Sequence, residues 1–349
     1  MQIQSGETLK KILVIRFTSM GDVILASSLL DVLKRSYPDA GVTFLTDSKY
    51  VELFRDDPRI MSVQGSRKNE RDVTETLAAE EWDLIIDLQN SGRSRKLTRK
   101  LASRSGIHRF NKLHLKRFLL LFCRLNFYSG DDTVLKRYIS ASGQKDDGEI
   151  APRLYFNSPL PPRLKEMLQS GNVERPAIAL FPFSAWRNKE WPEEYFIDVG
   201  RYFLFKGWEV FIMGGPDERE RAEALRSGIG QKCISFAGKV SLYECGCILN
   251  VCSLAIGNDT GLAHLARACG VKTGIIFGPT TRQFGFFPSG LPEYRVFQTS
   301  LCCRPCHAHG GNLCLRWDKA CMRRIGPDEV INGLIELSQT NNQMHPCYT

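Results

Sequence analysis

The sequence has no apolar run long enough to cross a membrane. A spanning helix needs roughly 18 consecutive apolar residues, and the longest apolar stretch of this 349-residue chain, 118–122, is far shorter. The first residues also lack the charged and apolar segments of a secretory signal. From these absences we expect no membrane-spanning helix and a cytoplasmic location.

Acidic residues are missing from one long stretch. Between Ser91 and Arg124 there are eleven Lys and Arg and no Asp or Glu, while the whole chain carries +9 and the remainder therefore −2. This regional patch predicts an anionic partner: nucleic acid, an acidic membrane surface or a phosphorylated substrate. A solvated basic face without a partner is the alternative. Aromatic residues are too sparse in the patch for base stacking, so we expect no nucleic-acid partner.

Strand and helix signals alternate in both halves of the chain, which predicts two α/β domains with parallel sheets. Prolines are dense between residues 151 and 176, where we place the connection. The predicted parts are a first domain, a linker, a second domain, a C-terminal helix that packs back on the first domain, and a frayed tail. Their bounds are 1–160, 161–176, 177–325, 326–339 and 340–349.

One strand-to-helix turn, Gly257–His264, offers a carboxylate, a hydroxyl and a glycine at the start of a helix. Open α/β sheets bind ligands at the carboxyl ends of their strands, and free N–H groups at a helix start attract phosphates. The alternative is a simple N-cap made by Asp259 or Thr260. Three further turns carry candidate groups: Asp22 after the first strand, Arg187 and Lys189 after the strand at 177–181, and Gly214–Glu218.

Several of these segments occur in a fixed order. They are Thr18–Val23, Lys189–Pro192, Gly238–Leu242, Asn258–Leu265 and Phe277–Thr280. Together they resemble the bacterial ADP-heptose:lipopolysaccharide heptosyltransferases, glycosyltransferase family 9. The resemblance implies the GT-B fold, in which two Rossmann-like domains face each other. It also implies that the first domain binds the acceptor and the second the nucleotide sugar.

The resemblance implies a role for each matching residue. Asp22 is similar to the catalytic base, and Lys189 to the catalytic cation on the donor diphosphate. Asp259 corresponds to the residue that holds the heptose. The remaining donor-binding matches are Ser184, Asp217, Val240, Thr260, Gly261 and His264. Ala185 departs from the family pattern, because it cannot donate the hydrogen bond that a hydroxyl would give to the phosphate.

The resemblance also implies an anionic partner for the basic patch. Lipopolysaccharide inner core and lipid A are phosphorylated, so basic side chains would face that acceptor and the anionic inner membrane. The residues are Arg93, Arg95, Lys96, Arg99, Lys112, Lys116 and Arg117. The expected enzyme is an inverting heptosyltransferase that needs no cofactor and is peripheral on the cytoplasmic face of the inner membrane.

Two other readings stay open. The chain could be a GT-B enzyme that uses another nucleotide sugar or another acceptor, such as O-antigen or a protein, or an epimerase. It could also be a paralogue that binds nucleotide or glycan without catalysis, although the retention of Asp22, Lys189 and Asp259 argues against that.

Five of the twelve cysteines lie close together in sequence, between Cys302 and Cys321. Four thiolates, from Cys303, Cys306, Cys314 and Cys321, could hold zinc or iron tetrahedrally as a structural site. A set of free thiols is an equal alternative. The family resemblance adds that protein-heptosylating relatives hold iron in a four-cysteine site.

Overall fold

The computed structural model describes residues 9–67, 72–129, 132–144, 151–157, 159–168, 175–286, 293–314 and 316–340. The chain forms two compact units. The first comprises Met1–Lys116 with Tyr128–Tyr155, and the second comprises Arg117–Phe127 with Phe156–Thr349. The second unit therefore begins a few residues before the predicted linker and also includes the segment 117–127.

The first unit is built on a parallel sheet in the order β3-β2-β1-β5-β7, with a separate two-stranded sheet of β4 and β6. Its strands are β1 Lys11–Ile15, β2 Gly41–Thr46, β3 Ser62–Gly65, β4 Glu81–Trp82, β5 Leu84–Asp87, β6 Ala102–Ser103 and β7 Ile107–Arg109. Its helices are α1 Met20–Ala26, α2 Ser28–Ser36, α3 Asp72–Ala78, α4 Gly92–Thr98 and α6 Val134–Ala141, with a 3₁₀ helix at Ser48–Phe54. Helix α5, His114–Phe118, lies at the boundary of the two units.

The second unit is built on a six-stranded parallel sheet in the order β10-β9-β8-β11-β12-β13. Its strands are β8 Ala177–Phe181, β9 Glu209–Ile212, β10 Ile234–Ser235, β11 Leu254–Asn258, β12 Lys272–Phe277 and β13 Tyr294–Gln298. Its α-helices are α7 Pro162–Leu168, α8 Glu193–Phe205, α9 Arg219–Ile229, α10 Leu242–Leu249, α11 Gly261–Ala268, α12 Ala320–Arg323 and α13 Pro327–Gln339. Single turns of other helix types lie at Leu119–Cys123 (π), Arg187–Lys189, Pro216–Glu218 and Arg282–Phe284 (3₁₀).

The parallel sheets explain why their central strands are buried on both faces. Every residue of β8 and β11 is buried, because a parallel sheet has helices on both faces and its central strands are apolar on both sides. Gly257 in β11 fits this packing, since a Cβ there would lie 2.5 Å from Cβ of Phe181. The alternation of strand and helix in the sequence is thus confirmed as two α/β units.

In each sheet, the order in which the chain adds strands reverses at one position. In the first sheet the chain proceeds from β1 to β2 and β3 on one side, and returns to place β5 and β7 on the other. In the second sheet β8, β9 and β10 extend one way, and β11, β12 and β13 the other. The turns after β1 and β5, and those after β8 and β11, therefore diverge and leave room for a ligand in each unit.

The helical segment between β1 and β2 is divided into two helices, α1 and α2. The hydroxyls of Ser27 and Ser28 donate to the carbonyl oxygens of Ile24 and Leu25, at 2.7 and 2.8 Å. Serine hydroxyls that bond to a preceding carbonyl compete with the helix ladder and bend helices, which places the break between α1 and α2 here.

The C-terminal helix corrects one expectation. We expected it to pack on the first domain, but α13 packs on α8, β12 and β13 of the second unit. Val330, Leu334 and Leu337 are buried in the core of that unit. The predicted linker also contains α7, and residues 341–349 of the predicted tail lie outside the described residues. No helix among the described parts of the chain is long and apolar enough to cross a membrane.

We predict that Leu334→Ala lowers the free energy of unfolding by about 2–5 kcal/mol, the range for truncating a fully buried leucine. Leu334 is fully buried in the second unit's core. Asn332→Ala, at an exposed position of the same helix, is the matched control and should change stability by no more than about 0.5 kcal/mol. Urea unfolding measures both. Equal stability of the two variants would show that α13 is not part of this core.

Candidate active site

In the second unit, the turns that follow β8 and β11 are tied together by Asn258. This fully buried side chain ends β11, and its Nδ2 donates to the Pro182 carbonyl at 2.7 Å. Its Oδ1 accepts from the backbone N–H of Trp191 at 2.9 Å. Both ends of the loop after β8 are therefore fixed beside the start of α11. The loop between them carries Lys189.

Lys189 and Asp259 form a buried ion pair at this place. Lys189 Nζ lies 2.5 Å from Oδ2 of Asp259 and donates to the Asp259 carbonyl at 3.3 Å. The two side chains are only 11% and 9% exposed. His264, one turn into α11, puts Nε2 3.6 Å from Oδ1 of the same carboxylate. Three of the residues predicted to bind the donor are thus brought together.

The pair holds Asp259 ionised. Burial by itself raises the Asp259 pKa, but the charge of Lys189 and the contact with His264 outweigh it, so the pKa lies well below its usual range. Behind His264, the buried guanidinium of Arg267 lies 3.5 Å from Nδ1 and stacks over the Tyr294 ring at 4.6 Å. Burial lowers the pKa of Arg267.

The turn that carries Lys189 is supported from behind by the cysteine-rich loop. Asn188, buried, exchanges two hydrogen bonds with the backbone of Gly311, at 3.0 and 2.8 Å. Lys319 Nζ donates to the Arg187 carbonyl at 2.7 Å. The position of the Lys189 side chain thus depends on residues more than a hundred positions later in the chain. Sequence reasoning missed this support.

Thr260 is the N-cap residue of α11, but its side chain does not cap the helix. Its Oγ1 is buried and has no hydrogen-bond partner among the described residues. Thr260 and Gly261 therefore place a spare hydroxyl and first-turn N–H groups beside Lys189, where an anion would satisfy them. The simple-cap alternative does not hold for Thr260.

The other predicted donor residues lie at the same edge of the second sheet. Ser184 follows β8, Asp217 follows β9, and Val240 follows β10. Ser184 Oγ accepts from the N–H of Trp186 at 3.2 Å. Asp217 is exposed, whereas the neighbouring Glu218 accepts from Gly215 N at 2.6 Å, and burial raises its pKa. Glu218 is thus a second acid at the predicted turn, beside Asp217, to which the sequence analysis gave no binding role.

In the first unit, Asp22 follows β1, the strand at which the strand order of the first sheet reverses. It sits in the first turn of α1, and its Oδ2 accepts from Ser19 N, Ser19 Oγ and Arg16 at 3.2, 2.9 and 2.8 Å. Tyr138 OH donates to Oδ1 at 3.2 Å. An acid in the first turn suits the helix dipole, and the carboxylate is also fixed by a buried arginine and a buried tyrosine.

Arg16 and Tyr138 were not among the predicted site residues. Burial opposes the charge of Arg16, but Tyr138 and Asp22 more than compensate, so its pKa is raised. Burial raises the pKa of Tyr138, so the hydroxyl stays protonated and donates. Arg16 also donates to the Leu88 carbonyl at 2.7 Å, and so links the turns after β1 and β5. The sequence signal that could have identified Arg16 is its position directly after the apolar strand β1.

The predicted basic residues have different surroundings. Arg93 donates to Ser66 and Arg67 and stacks 4.0 Å above the Phe17 ring. Arg95 binds the Asn90 side chain, and Lys116 pairs with Asp132 at 2.7 Å. Lys96 and Arg99 are exposed, Lys112 is half-buried, and Arg117 contacts His309 of the second unit. The patch is therefore partly structural.

The cysteine cluster is gathered but does not form a ligand set. Burial raises the pKa of Cys306, and Cys303 and Cys314 raise it further. Burial raises the pKa of Cys321 to about 11, with contributions from the same thiols. All these cysteines are free. Within the described ranges, no three His, Cys, Asp or Glu lie close enough to hold a metal ion, so the predicted site at Cys303, Cys306, Cys314 and Cys321 is not assembled.

Comparison with known proteins assigns the class. The model of glycosyltransferase family 9 (heptosyltransferase) matches residues 71–309. Lipopolysaccharide heptosyltransferase 1 of Pseudomonas aeruginosa is 26% identical over 300 residues, covering 78% of this chain and 80% of that protein. E. coli ADP-heptose lps heptosyltransferase II has a TM-score of 0.71 at 20% identity, covering 94% and 98% of the two chains.

A more distant structural match is the iron-containing dodecameric glycosyltransferase TibC from enterotoxigenic E. coli H10407. Its TM-score is 0.61 at 15% identity, with 95% of this chain and 76% of that chain covered. The two parallel-sheet units and these matches define a glycosyltransferase of the GT-B fold class. The chain belongs to glycosyltransferase family 9, the heptosyltransferase family.

We predict that Asp259→Asn lowers the free energy of unfolding at pH 7 by about 3–5 kcal/mol, because it leaves the charge of Lys189 buried and unpaired. The folded-state pKa of Asp259 is depressed. Its contribution is therefore full above the unfolded pKa of about 4 and is lost as the pH falls further. The stability gap between wild type and variant should narrow from pH 5 to pH 3.

Urea unfolding across that pH range measures the gap. Asp198→Asn, which removes an exposed carboxylate of α8, is the control and should show little gap at any pH. A gap for Asp259→Asn that is the same at pH 3 and pH 7 would contradict the ion-pair interpretation.

Proposed function

We propose that the protein transfers heptose from ADP-heptose to a hydroxyl of the lipopolysaccharide inner core, with inversion at the anomeric carbon. The observation that carries the proposal is the Lys189–Asp259 pair beside the unsatisfied Thr260 hydroxyl. Family membership and the heptosyltransferase relatives, one of them named for ADP-heptose and lps, support the choice of donor and acceptor.

The second unit binds the donor in this proposal. The diphosphate lies at the start of α11, where Thr260 Oγ1 and the N–H groups from Gly261 onward donate to it. Lys189 supplies the positive charge, and Asp259 and His264 bind sugar hydroxyls. Ser184 adds a hydroxyl near the phosphates, while Val240 and Asp217 lie beside the adenosine. These groups stabilise the charge that develops on the departing ADP.

The first unit supplies the base. Asp22 takes the proton of the acceptor hydroxyl as that oxygen attacks the anomeric carbon and the bond to ADP breaks. Arg16 pairs with the carboxylate and Tyr138 holds its orientation, as a positioned base requires. The acceptor hydroxyl must reach hydrogen-bond distance of Asp22 for this step.

The basic residues serve the acceptor in the same proposal. The side chains of Arg95, Lys96 and Arg99 are exposed to solvent. In this proposal their positive charges bind the phosphates of the inner core and of lipid A. Lys112 and Arg117 add to this charge, whereas Lys116 is paired with Asp132 and Arg93 mainly fixes the turns after β1 and β3. We place the working protein on the cytoplasmic face of the inner membrane, as a peripheral protein.

We propose that Asp22→Asn abolishes turnover and leaves donor binding intact. Loss of a positioned base costs about a hundredfold to ten-thousandfold in kcat, and the amide is isosteric, so Tyr138 and Ser19 keep partners. Transfer to purified core acceptor and calorimetric titration with ADP-heptose measure the two effects. Asp31→Asn, a carboxylate in α2 outside the proposed site, is the control. Near-normal kcat in Asp22→Asn would remove Asp22 from the base role.

We propose that the cysteine cluster, which is not in ligand geometry among the described residues, becomes a structural metal site when an ion draws its thiols together. Cys303, Cys306, Cys314 and Cys321 are soft donors of the number that zinc or iron takes. The thiols influence one another electrostatically, and an iron-containing relative has a similar fold. The metal would stiffen the loop whose Gly311 and Lys319 hold the turn of Lys189.

This proposal predicts one equivalent of iron or zinc in anaerobically purified protein. Chelation should weaken the binding of ADP and lower the melting temperature, because the loop behind Lys189 loosens. Cys233→Ser, at a buried cysteine elsewhere in the same unit, should keep the metal, whereas Cys306→Ser should lose it. Protein with neither metal would overturn the assignment.

A further inference from the structure

The segment Arg117–Phe127, which we name the arm, presents an apolar face that nothing in the described structure covers. Phe118, Phe122, Leu125 and Phe127 are 53%, 74%, 51% and 57% exposed. Large side chains so exposed along one short segment are unusual in a protein that acts alone in water. The arm is inserted in the sequence of the first unit but belongs to the second.

The arm has two faces because it is helical. Helix α5 continues into the π turn Leu119–Cys123, so residues three to four apart share a face. Arg117, Leu120 and Arg124 form the inner face: Leu120 is buried, Arg117 contacts His309 at 3.2 Å, and Arg124 donates to the Pro305 carbonyl.

Phe118 and Phe122 form the opposite, outer face, with the two phenyl rings 4.9 Å apart, and Leu125 is exposed just after the helical turn ends. The inner contacts hold the arm to the second unit, so the apolar face is a fixed feature of that unit. It is not the result of a segment that has come loose.

The charge around the arm selects the partner. No Asp or Glu occurs from residue 88 to residue 130, so the arm and the residues before it carry net positive charge, although Lys116 is paired with Asp132 at 2.7 Å. A helix with phenylalanine and leucine on one face and a basic background lies in the headgroup region of anionic membranes. A protein partner of acidic character would meet the charge but would leave the phenyl rings without a matching apolar surface.

We propose that the outer face of the arm inserts into the surface of an anionic bilayer and that Phe118 and Phe122 are its main anchors. This deepens the proposed function, on which it rests for the lipid-linked acceptor. The basic residues alone would give binding that salt abolishes. Insertion of two phenyl rings adds a component that salt does not remove.

The test is flotation with vesicles of phosphatidylcholine and phosphatidylglycerol in equal parts, with pure phosphatidylcholine vesicles as comparison. The double variant Phe118→Ser/Phe122→Ser should bind the anionic vesicles at least about tenfold more weakly than wild type, given the free energy of burying apolar rings. Its remaining binding should vanish at high salt, while part of the wild-type binding persists.

Phe205→Ser is the matched control. Phe205 ends α8 in the same unit and is 85% exposed, so it removes an equally exposed ring outside the arm and should bind like wild type. Thermal melting should confirm that all three proteins are folded. Unchanged vesicle binding of the double variant would overturn the proposal.

Size-exclusion chromatography of the same proteins tests the alternative that the arm binds a second copy of the chain. If wild type self-associates, the double variant does not, and both bind vesicles equally, the arm docks a second copy of the chain and the membrane assignment is wrong. Transfer to a deacylated, water-soluble acceptor should be equal in wild type and double variant. Absence of transfer by wild type would instead overturn the proposed function and leave the vesicle result standing.

Discussion

The buried ion pair between Lys189 and Asp259 is the interaction on which the second unit's site depends. Two charges placed below the surface are tolerated only when each satisfies the other and the backbone around them is fixed. The sheet meets that condition, because β8 and β11 are neighbours whose following turns diverge. Asn258 joins those turns, and the Asn188–Gly311 contact fixes the lysine turn from the far side. The pair is therefore a consequence of strand order and of a distant loop together.

In the first unit, an acid and a cation are also paired, but by different residues. Asp22 is held by Arg16, and the same arginine reaches the turn after β5. A charged side chain at the end of a central strand thus joins the two diverging turns and fixes the carboxylate at once. Both units pair an acid with a cation at the carboxyl edge of a parallel sheet. In the reaction we propose, Asp259 binds sugar hydroxyls and Asp22 takes the proton of the acceptor.

Much of the fold and part of the site could be predicted from the sequence. Fully buried parallel strands are near-continuous apolar runs, so β8 was predicted with its observed bounds, 177–181, whereas the half-exposed β7 and β13 were not predicted. Lys189, Asp259 and His264 come together because their turns follow adjacent strands. Arg16, Tyr138 and Asn188 were missed because their roles depend on long-range contacts. The apolar periodicity of α13 predicted a helix but could not say which unit it packs on.

The central proposal is that the two residues of the ion pair bind different parts of the donor: Lys189 binds the diphosphate and Asp259 binds the heptose. Calorimetric titration of ADP and ADP-heptose into wild type, Lys189→Met and Asp259→Asn tests it most directly. Lys189→Met should weaken both ligands by a similar factor, about tenfold or more for a lost charged hydrogen bond. Asp259→Asn should weaken ADP-heptose clearly more than ADP. If Asp259→Asn weakens the two ligands equally, or Lys189→Met leaves ADP binding unchanged, the division is wrong.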